Sequence, residues 1–363
     1  MAVSVSQAIK FLKDSYTARG YRPFRMGRFE EYDLYIQNKE FLMSDRVITF
    51  PGRDGQLMAL KPDVTLSIVK NASQEKGVVN KVYYNESVYR ADVDTHDFRE
   101  LTQMGLECIG DLDDYDIVEV VCLAQESLAL LGTSYILDIS HMGLLEAVLV
   151  DVPQIFRSEI LELLQQKNTH ELQALFAKNE LSPKAYSKLL CLLNNAGKAE
   201  VVLPVIQSQM DSKEEMAALC DLKKVISAMD DSSCVRIDFS VANKLSYYNG
   251  LVFRGYLAGV PDAVLSGGQY DRLLTRMGRK SKAIGFAVYL DQLERLMPTM
   301  TAYEVDAILL YDDNEDVLAV KQGAKSLSYL GSVLVAKKLP TDYIWKAVYR
   351  CQNREVRFVE GND

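Results

Sequence analysis

The segment YRADVDTHDFRELTQMGLE, residues 89–107, sets Arg90, Arg99, Gln103 and Glu107 at spacings suited to holding a small charged molecule. Between the two arginines lies an acidic loop, Asp92, Asp94 and Asp97. Arginine is the best planar partner of carboxylates and phosphates. Two readings stay open: a phosphate site, or a site that has lost its phosphate and kept the rest of its ligand. Read as a strand, FRELTQMGLECIG puts Glu100, Thr102, Met104, Leu106 and Cys108 on one face. Arg99, Leu101, Gln103, Gly105 and Glu107 share the other. The first face turns apolar and would pack on helices. On the second, Gly105 between Gln103 and Glu107 leaves room for something lying on the sheet. A plain solvated face fits the same alternation.

Three further segments bear on the choice. In LKPDVT, Asp63 and Thr65 point the same way if the chain stays extended after Pro62. A carboxylate beside a hydroxyl suits an ammonium group, and both residue types also cap a helix such as LSIVKN. In NKLSYYNGLVFRGY, Tyr247 and Tyr248 precede an Asn249-Gly250 turn. One belongs to the core, and the other can offer its hydroxyl to a polar ligand. In SGGQYDRLL, Gly267-Gly268 lets the backbone approach a ligand or another strand, with Tyr270 and Asp271 beyond; a tight turn capping a helix is the alternative.

The elements that must position these groups follow from periodicity. Residues 5–19 read as a helix, followed by a turn at RGYRPF. DRVITFPGRDGQLMAL reads as strand, turn, strand, and KVYYNESVYRAD as a strand. DDYDIVEVVCLAQESLALLG is a helix with an acidic start and Gly132 as its stop. SYILDISH is a strand. Residues 143–230 are helical in pattern, and strands resume at SCVRIDFSV, GLVFRGYLAG and AIGFAVYL. The tail alternates DAILLYD, helix, SVLVAKKL, helix, EVRFVEG, a small α/β unit of about three strands. The expected organisation is a core in two parts, 1–142 and 231–300, a helical insertion at 143–230 and a C-terminal unit at 301–363. Short hairpins around 46–110 favour an antiparallel sheet flanked by helices, an α+β fold. No GxGxxG follows a strand and no GxxxxGK[ST] occurs.

Composition sets outer limits. The 363 residues are 48% hydrophobic and 25% charged, with net charge −9, which disfavours a large polyanion without a local basic patch. No uncharged run approaches the roughly 18 residues of a membrane span, and the N-terminus lacks an apolar signal core. Six scattered cysteines without CxxC read as reduced thiols of a cytoplasmic protein. With three histidines, His96, His141 and His170, a zinc site would be short of ligands.

LKPDVT, VYR with FRELTQMGLECIG, LSYYNGLVF, SGGQYD and AIGFAVYLDQL occur in the order and near the spacing of the histidyl-tRNA synthetase catalytic domain, which this chain resembles over about residues 5–295. The tail is similar to a shortened anticodon-binding domain. The resemblance implies the class II synthetase fold and a homodimer through GYRPFRMGRFE, where Gly27 replaces the customary proline and Glu30 matches. It places histidine among Asp63, Thr65, Arg90, Gln103, Glu107, Tyr247, Tyr248 and Tyr270. Asp63, Thr65 and Gln103 would take the α-amino group, and Glu107 and Tyr248 the imidazole. Arg90 keeps the leading arginine of motif 2.

At three other positions where the synthetases carry arginine for ATP, this chain has Asp97, Asn243 and Gln292. Each such electrostatic contact is worth roughly 3 kcal/mol or more in comparable sites, and Lys244 cannot replace all three. That pattern resembles the synthetase paralogues that regulate ATP phosphoribosyltransferase, and LDISHMGLLEAVL, with His141, resembles their strand-to-helix segment. The resemblance implies a non-catalytic protein without cofactor or metal that binds L-histidine. Its partner would be a short-form ATP phosphoribosyltransferase catalytic subunit, with tRNA and membrane disfavoured. The alternatives are a histidine–tRNA ligase and a free-standing amino-acid sensor.

Overall fold

Ser4 opens the first helix, α1 (Val5–Ala18), through a reciprocal capping box with Gln7. Ala8, Leu12 and Tyr16, four residues apart, bury one stripe of it. Gly20, at φ 83°, then turns the chain into extended β1 (Arg22–Pro23). The computed structural model describes residues 4–39, 47–73, 75–91, 97–241, 247–294, 303–341 and 343–361. The chain divides into two compact units after residue 296.

In the first unit, β2 (Phe29–Glu31), helix α2 (Tyr32–Gln37), β3 (Thr49–Pro51) and β4 (Leu57–Leu60) come next, and the three strands form a small antiparallel sheet. Helix α3 (Thr65–Asn71) leads to the long hairpin β5 (Val79–Ala91) and β6 (Phe98–Gly110), paired in register from Val79 with Gly110 to Ala91 with Phe98. Helix α4 (Asp114–Leu131) starts on a capping box between Asp113 and Asp116, and β7 (Tyr135–His141) follows.

Helices α5 (Met142–Leu149), α6 (Arg157–Gln166), α7 (Thr169–Ala177), α8 (Pro183–Asn194), α9 (Ala199–Gln209) and α10 (Lys213–Ser227) make up the insertion. Its one departure from all-helix is β8 (Gly197–Lys198), which pairs with β9 (Val235–Ile237) and ties the insertion to the main sheet. Lys188 of α8 is buried against Glu215 at 2.6 Å and Asp211 at 2.6 Å, and Glu215 also caps α10 through Ser212.

The remaining strands of the unit are β10 (Leu251–Leu257), β11 (Leu265–Gln269) and β12 (Lys282–Tyr289), with α11 (Asp271–Arg276) before β12 and α12 (Leu290–Glu294) after it. The nine-stranded sheet runs β1-β5-β6-β12-β11-β10-β7-β9-β8. Its centre, β5 to β7, is antiparallel. The expected antiparallel sheet flanked by helices is present, and parallel pairing enters at its edges, where β1 joins β5 and β9 joins β7. Each enters by a crossover instead of a hairpin, so it can lie parallel to its neighbour.

The back of this sheet is the core. Met104, Leu106, Cys108, Ile284, Phe286, Val288 and Phe253 pack there against α1 and α4. Tyr16 meets Phe286 edge-on at 5.9 Å and shares a 3.0 Å hydrogen bond with Ser127. Side chains of this size each contribute about 1.5–3 kcal/mol on full burial. All six cysteines are free thiols. Among the described residues no helix is long and apolar enough to cross a membrane.

In the second unit, β13 (Val305–Tyr311), β14 (Val333–Ala336), β15 (Trp345–Gln352) and β16 (Glu355–Gly361) form a sheet ordered β14-β13-β15-β16, with α13 (Val317–Leu327) on one face. Residues 345–352, expected as a helix, are a strand. Trp345, Val348, Tyr349 and Cys351 favour a pleated surface, and Asn353-Arg354, at φ 53° and 65°, closes a hairpin to β16.

Candidate functional site

The front of the nine-stranded sheet carries a polar cleft, partly open to solvent. Asp63, Thr65, Arg90, Gln103, Glu107, Tyr247, Tyr248 and Tyr270 all line it. Alternation along β6 sends Gln103 and Glu107 to this face while Met104, Leu106 and Cys108 go to the core.

Glu107 sits at the bottom, 2% exposed. Thr65, the first residue of α3, donates to its Oε1 at 2.8 Å, and Tyr270 donates to its Oε2. Asp63 precedes α3 and accepts from the Leu66 amide at 3.0 Å, so it acts as a helix cap while also lining the cleft. Arg90 donates through Nε to the Pro62 carbonyl at 3.3 Å, which orients its guanidinium. Tyr247 packs edge-on against Tyr248 at 4.5 Å and tilts toward Tyr270 at 5.9 Å. Tyr247 is the core member of the pair, buried in the apolar cluster beneath the cleft, Tyr248 packs against that cluster, and both line the cleft.

One glycine reading changes, and for the Gly267-Gly268 pair the close approach of strands replaces the turn alternative. Gly105 leaves room, and that room is filled: a Cβ there would lie 2.6 Å from the Tyr84 hydroxyl and 2.3 Å from the Phe286 carbonyl. Gly267 and Gly268 belong to β11, not to a turn, and a Cβ on Gly268 would meet Tyr248 at 2.7 Å. The sequence reading missed Tyr84, Ser266, Gly285 and Tyr289, which also line the cleft. Tyr84 stands opposite Gly105, and Tyr289 opposite Gln103. Hairpin register predicts the first; the second needs the long-range pairing of β6 with β12.

Burial dominates the electrostatics. It pushes the Glu107 carboxyl up to about 8, against the lowering effect of the Tyr270 and Thr65 hydrogen bonds, and Asp63 adds to the rise. Asp63 is raised as well, chiefly by burial, with the Leu66 amide and Arg90 opposing. Burial also raises Tyr84, Tyr247, Tyr248 and Tyr270, so these phenols are neutral donors at physiological pH. Two carboxyl groups, a guanidinium, a carboxamide and several phenols match a small zwitterion with a polar, basic side chain. Among the described residues no cluster of His, Cys, Asp or Glu is placed to hold a metal ion.

Gln292, on α12, has its side-chain oxygen buried and, among the described residues, without a hydrogen-bond partner. Asp97 lies just before β6. Asp92, Asp94, His96, Asn243 and Lys244 lie outside the described residues. Arg99 lies at the open end of β6 and is not among the residues lining the cleft. His141 ends β7, buried, 3.8 Å from Asp221 of α10.

A largely antiparallel sheet with helices behind it and a polar cleft in front is the catalytic-domain architecture of class II aminoacyl-tRNA synthetases. The histidyl-tRNA synthetase family profile matches residues 2–293, and the chain belongs to that family. It is 29% identical over 300 residues to an ATP phosphoribosyltransferase regulatory subunit of Alkaliphilus metalliredigens, covering 79% of this chain and 75% of the relative. An ATP phosphoribosyltransferase regulatory subunit/histidyl-tRNA synthetase from Bacillus halodurans superposes with a TM-score of 0.79 at 22% identity, over 96% of this chain and 93% of the other. A chain of the ATP phosphoribosyl transferase (HisG:HisZ) complex from Thermotoga maritima matches with a TM-score of 0.64 at 23% identity, over 79% of this chain and 97% of that one.

Proposed function

We propose that the chain is a non-catalytic regulatory subunit of ATP phosphoribosyltransferase in histidine biosynthesis, and that its cleft binds L-histidine. The observation that carries the ligand is Glu107, buried and held by Thr65 and Tyr270 where an imidazole can meet it. Asp63, Gln103 and Thr65 serve the α-amino group, and Arg90 lines the same cleft. The regulatory role is supported by relatives that carry that name and by the likeness to a chain of a transferase complex. A pocket without a reaction is useful when its occupancy is felt at a second site. That site is on a short-form catalytic chain, joined in a cytoplasmic hetero-oligomer with a homodimer of this protein.

Calorimetry with histidine tests the ligand. Glu107→Ala weakens binding by about 1.5–3 kcal/mol, and no heat from the wild type at millimolar histidine overturns the assignment. Co-expression with a short-form transferase tests the role. The expected result is a hetero-oligomer whose phosphoribosyl transfer depends on this chain and is inhibited by histidine. Separate elution with unchanged activity points to a free-standing sensor.

A further inference from the structure

The polar surface of the cleft continues past its wall. Ser266 on that wall bonds Tyr289 through its hydroxyl and stands opposite Arg254 of β10. Arg254 in turn stands opposite Asp138 of β7, and Asp138 opposite Arg236 of β9. Residues paired across strands project to the same side, so Ser266, Arg254, Asp138 and Arg236 form one row on the cleft face. Successive strands lie about 4.8 Å apart, which sets Arg254 one strand beyond the wall.

The row has unused bonding capacity. Asp138 is buried and, among the described residues, its Oδ1 lacks a hydrogen-bond partner, as do Arg236 Nε and the neighbouring Ser140 Oγ. Asp138 and Arg236 approach only to 3.4 Å. Lys167 is engaged by Asp238 at 2.6 Å. Among the described residues Arg254 makes no hydrogen bond or ion pair, yet its charge is felt at both Tyr248 and Asp138. Two guanidiniums facing one carboxyl leave the row positive. The cleft proper holds two carboxyls, Asp63 and Glu107, against the single guanidinium of Arg90.

We propose that Arg254 is the oxyanion-binding residue of this cleft and takes the α-carboxylate of the bound amino acid. This rests on the histidine reading above. It gives β10 a part in the site, and it makes the carboxylate a requirement for binding.

Calorimetry of wild type, Arg254→Gln and Arg254→Lys with histidine, with histamine (which lacks the carboxylate) and with inorganic phosphate tests it. Arg254→Gln is expected to weaken histidine at least tenfold and histamine less than threefold, with Arg254→Lys recovering most of the loss and unliganded melting temperatures unchanged. Equal losses for histidine and histamine, or an unchanged histidine affinity, overturn the proposal. Loss of phosphate binding alone overturns it in favour of a separate inorganic anion. A wild type that binds histamine as tightly as histidine overturns the proposal while the ligand reading stands; a wild type that binds no histidine overturns both.

Discussion

Gly285 of β12 lies directly opposite Glu107 of β6, and a Cβ on it would stand 1.8 Å from Glu107 Oε2. The carboxyl at the bottom of the cleft therefore lies across a residue that has no side chain. Gly285→Ala forces Glu107 away from Thr65 and Tyr270, and the Leu106 carbonyl, 2.5 Å from the same Cβ position, blocks relief on the other side. The expected cost is about 1–3 kcal/mol of stability. Histidine affinity should fall roughly tenfold or more. Denaturant titration and calorimetry check the two effects separately.

Glu107 also makes stability depend on pH. Its carboxyl titrates at about 8 in the folded chain, against an ordinary value of 4.5. Between those values the folded state holds a proton that the unfolded state has released, so stability falls as pH rises through this window and levels off above it. Glu107→Gln should flatten that part of the profile, as read from melting temperature across pH 5 to 9. A variant profile as steep as the wild type would place the effect on other groups.

No histidine-dependent ATP–pyrophosphate exchange is expected above a no-enzyme control. Gln292 is an uncharged carboxamide where the resemblance expects a cation, and it supplies no positive charge to a triphosphate. Exchange well above the control would restore the histidine–tRNA ligase.

The insertion carries its own test. Burial opposes ionisation of Glu215, but Lys188 and the amides of Ser212 and Asp211 hold its carboxyl below the ordinary range. Lys188→Ala leaves that charge buried without its cation and should cost about 3–5 kcal/mol. Replacing both residues, as Lys188→Met with Glu215→Met, should cost much less. Stability from this pair is present above the unfolded carboxylate pKa and is lost as pH falls through the depressed one.

Local patterns carried much of the architecture into the sequence. The alternation in β6, the Asp113 start and Gly132 end of α4, and the β5–β6 hairpin are all set by residues near one another in the chain. All eight candidate ligand residues came into view through motif order, and the structure gathers them in one cleft. What stayed hidden depends on distant partners. The roles of Tyr289 and Gly285 follow from β12 docking on β6, and Gly105 could not announce that Tyr84 fills its space. The strand at 345–352 was hidden differently: an Asn-Arg pair at positive φ is a weaker turn signal than Asn-Gly.

The pairing of Gly110 with Lys282, across the whole insertion, has a kinetic consequence. The β5–β6 hairpin can form early from its own neighbourhood, but the cleft cannot. Its floor requires a loop that includes eight α-helices, α4 to α11, to close first, and such non-local contacts are reached slowly. Ligand-binding competence should therefore be among the last properties to return on refolding, well after helical content, and a chain stalled before β12 docks would have its helices and no pocket.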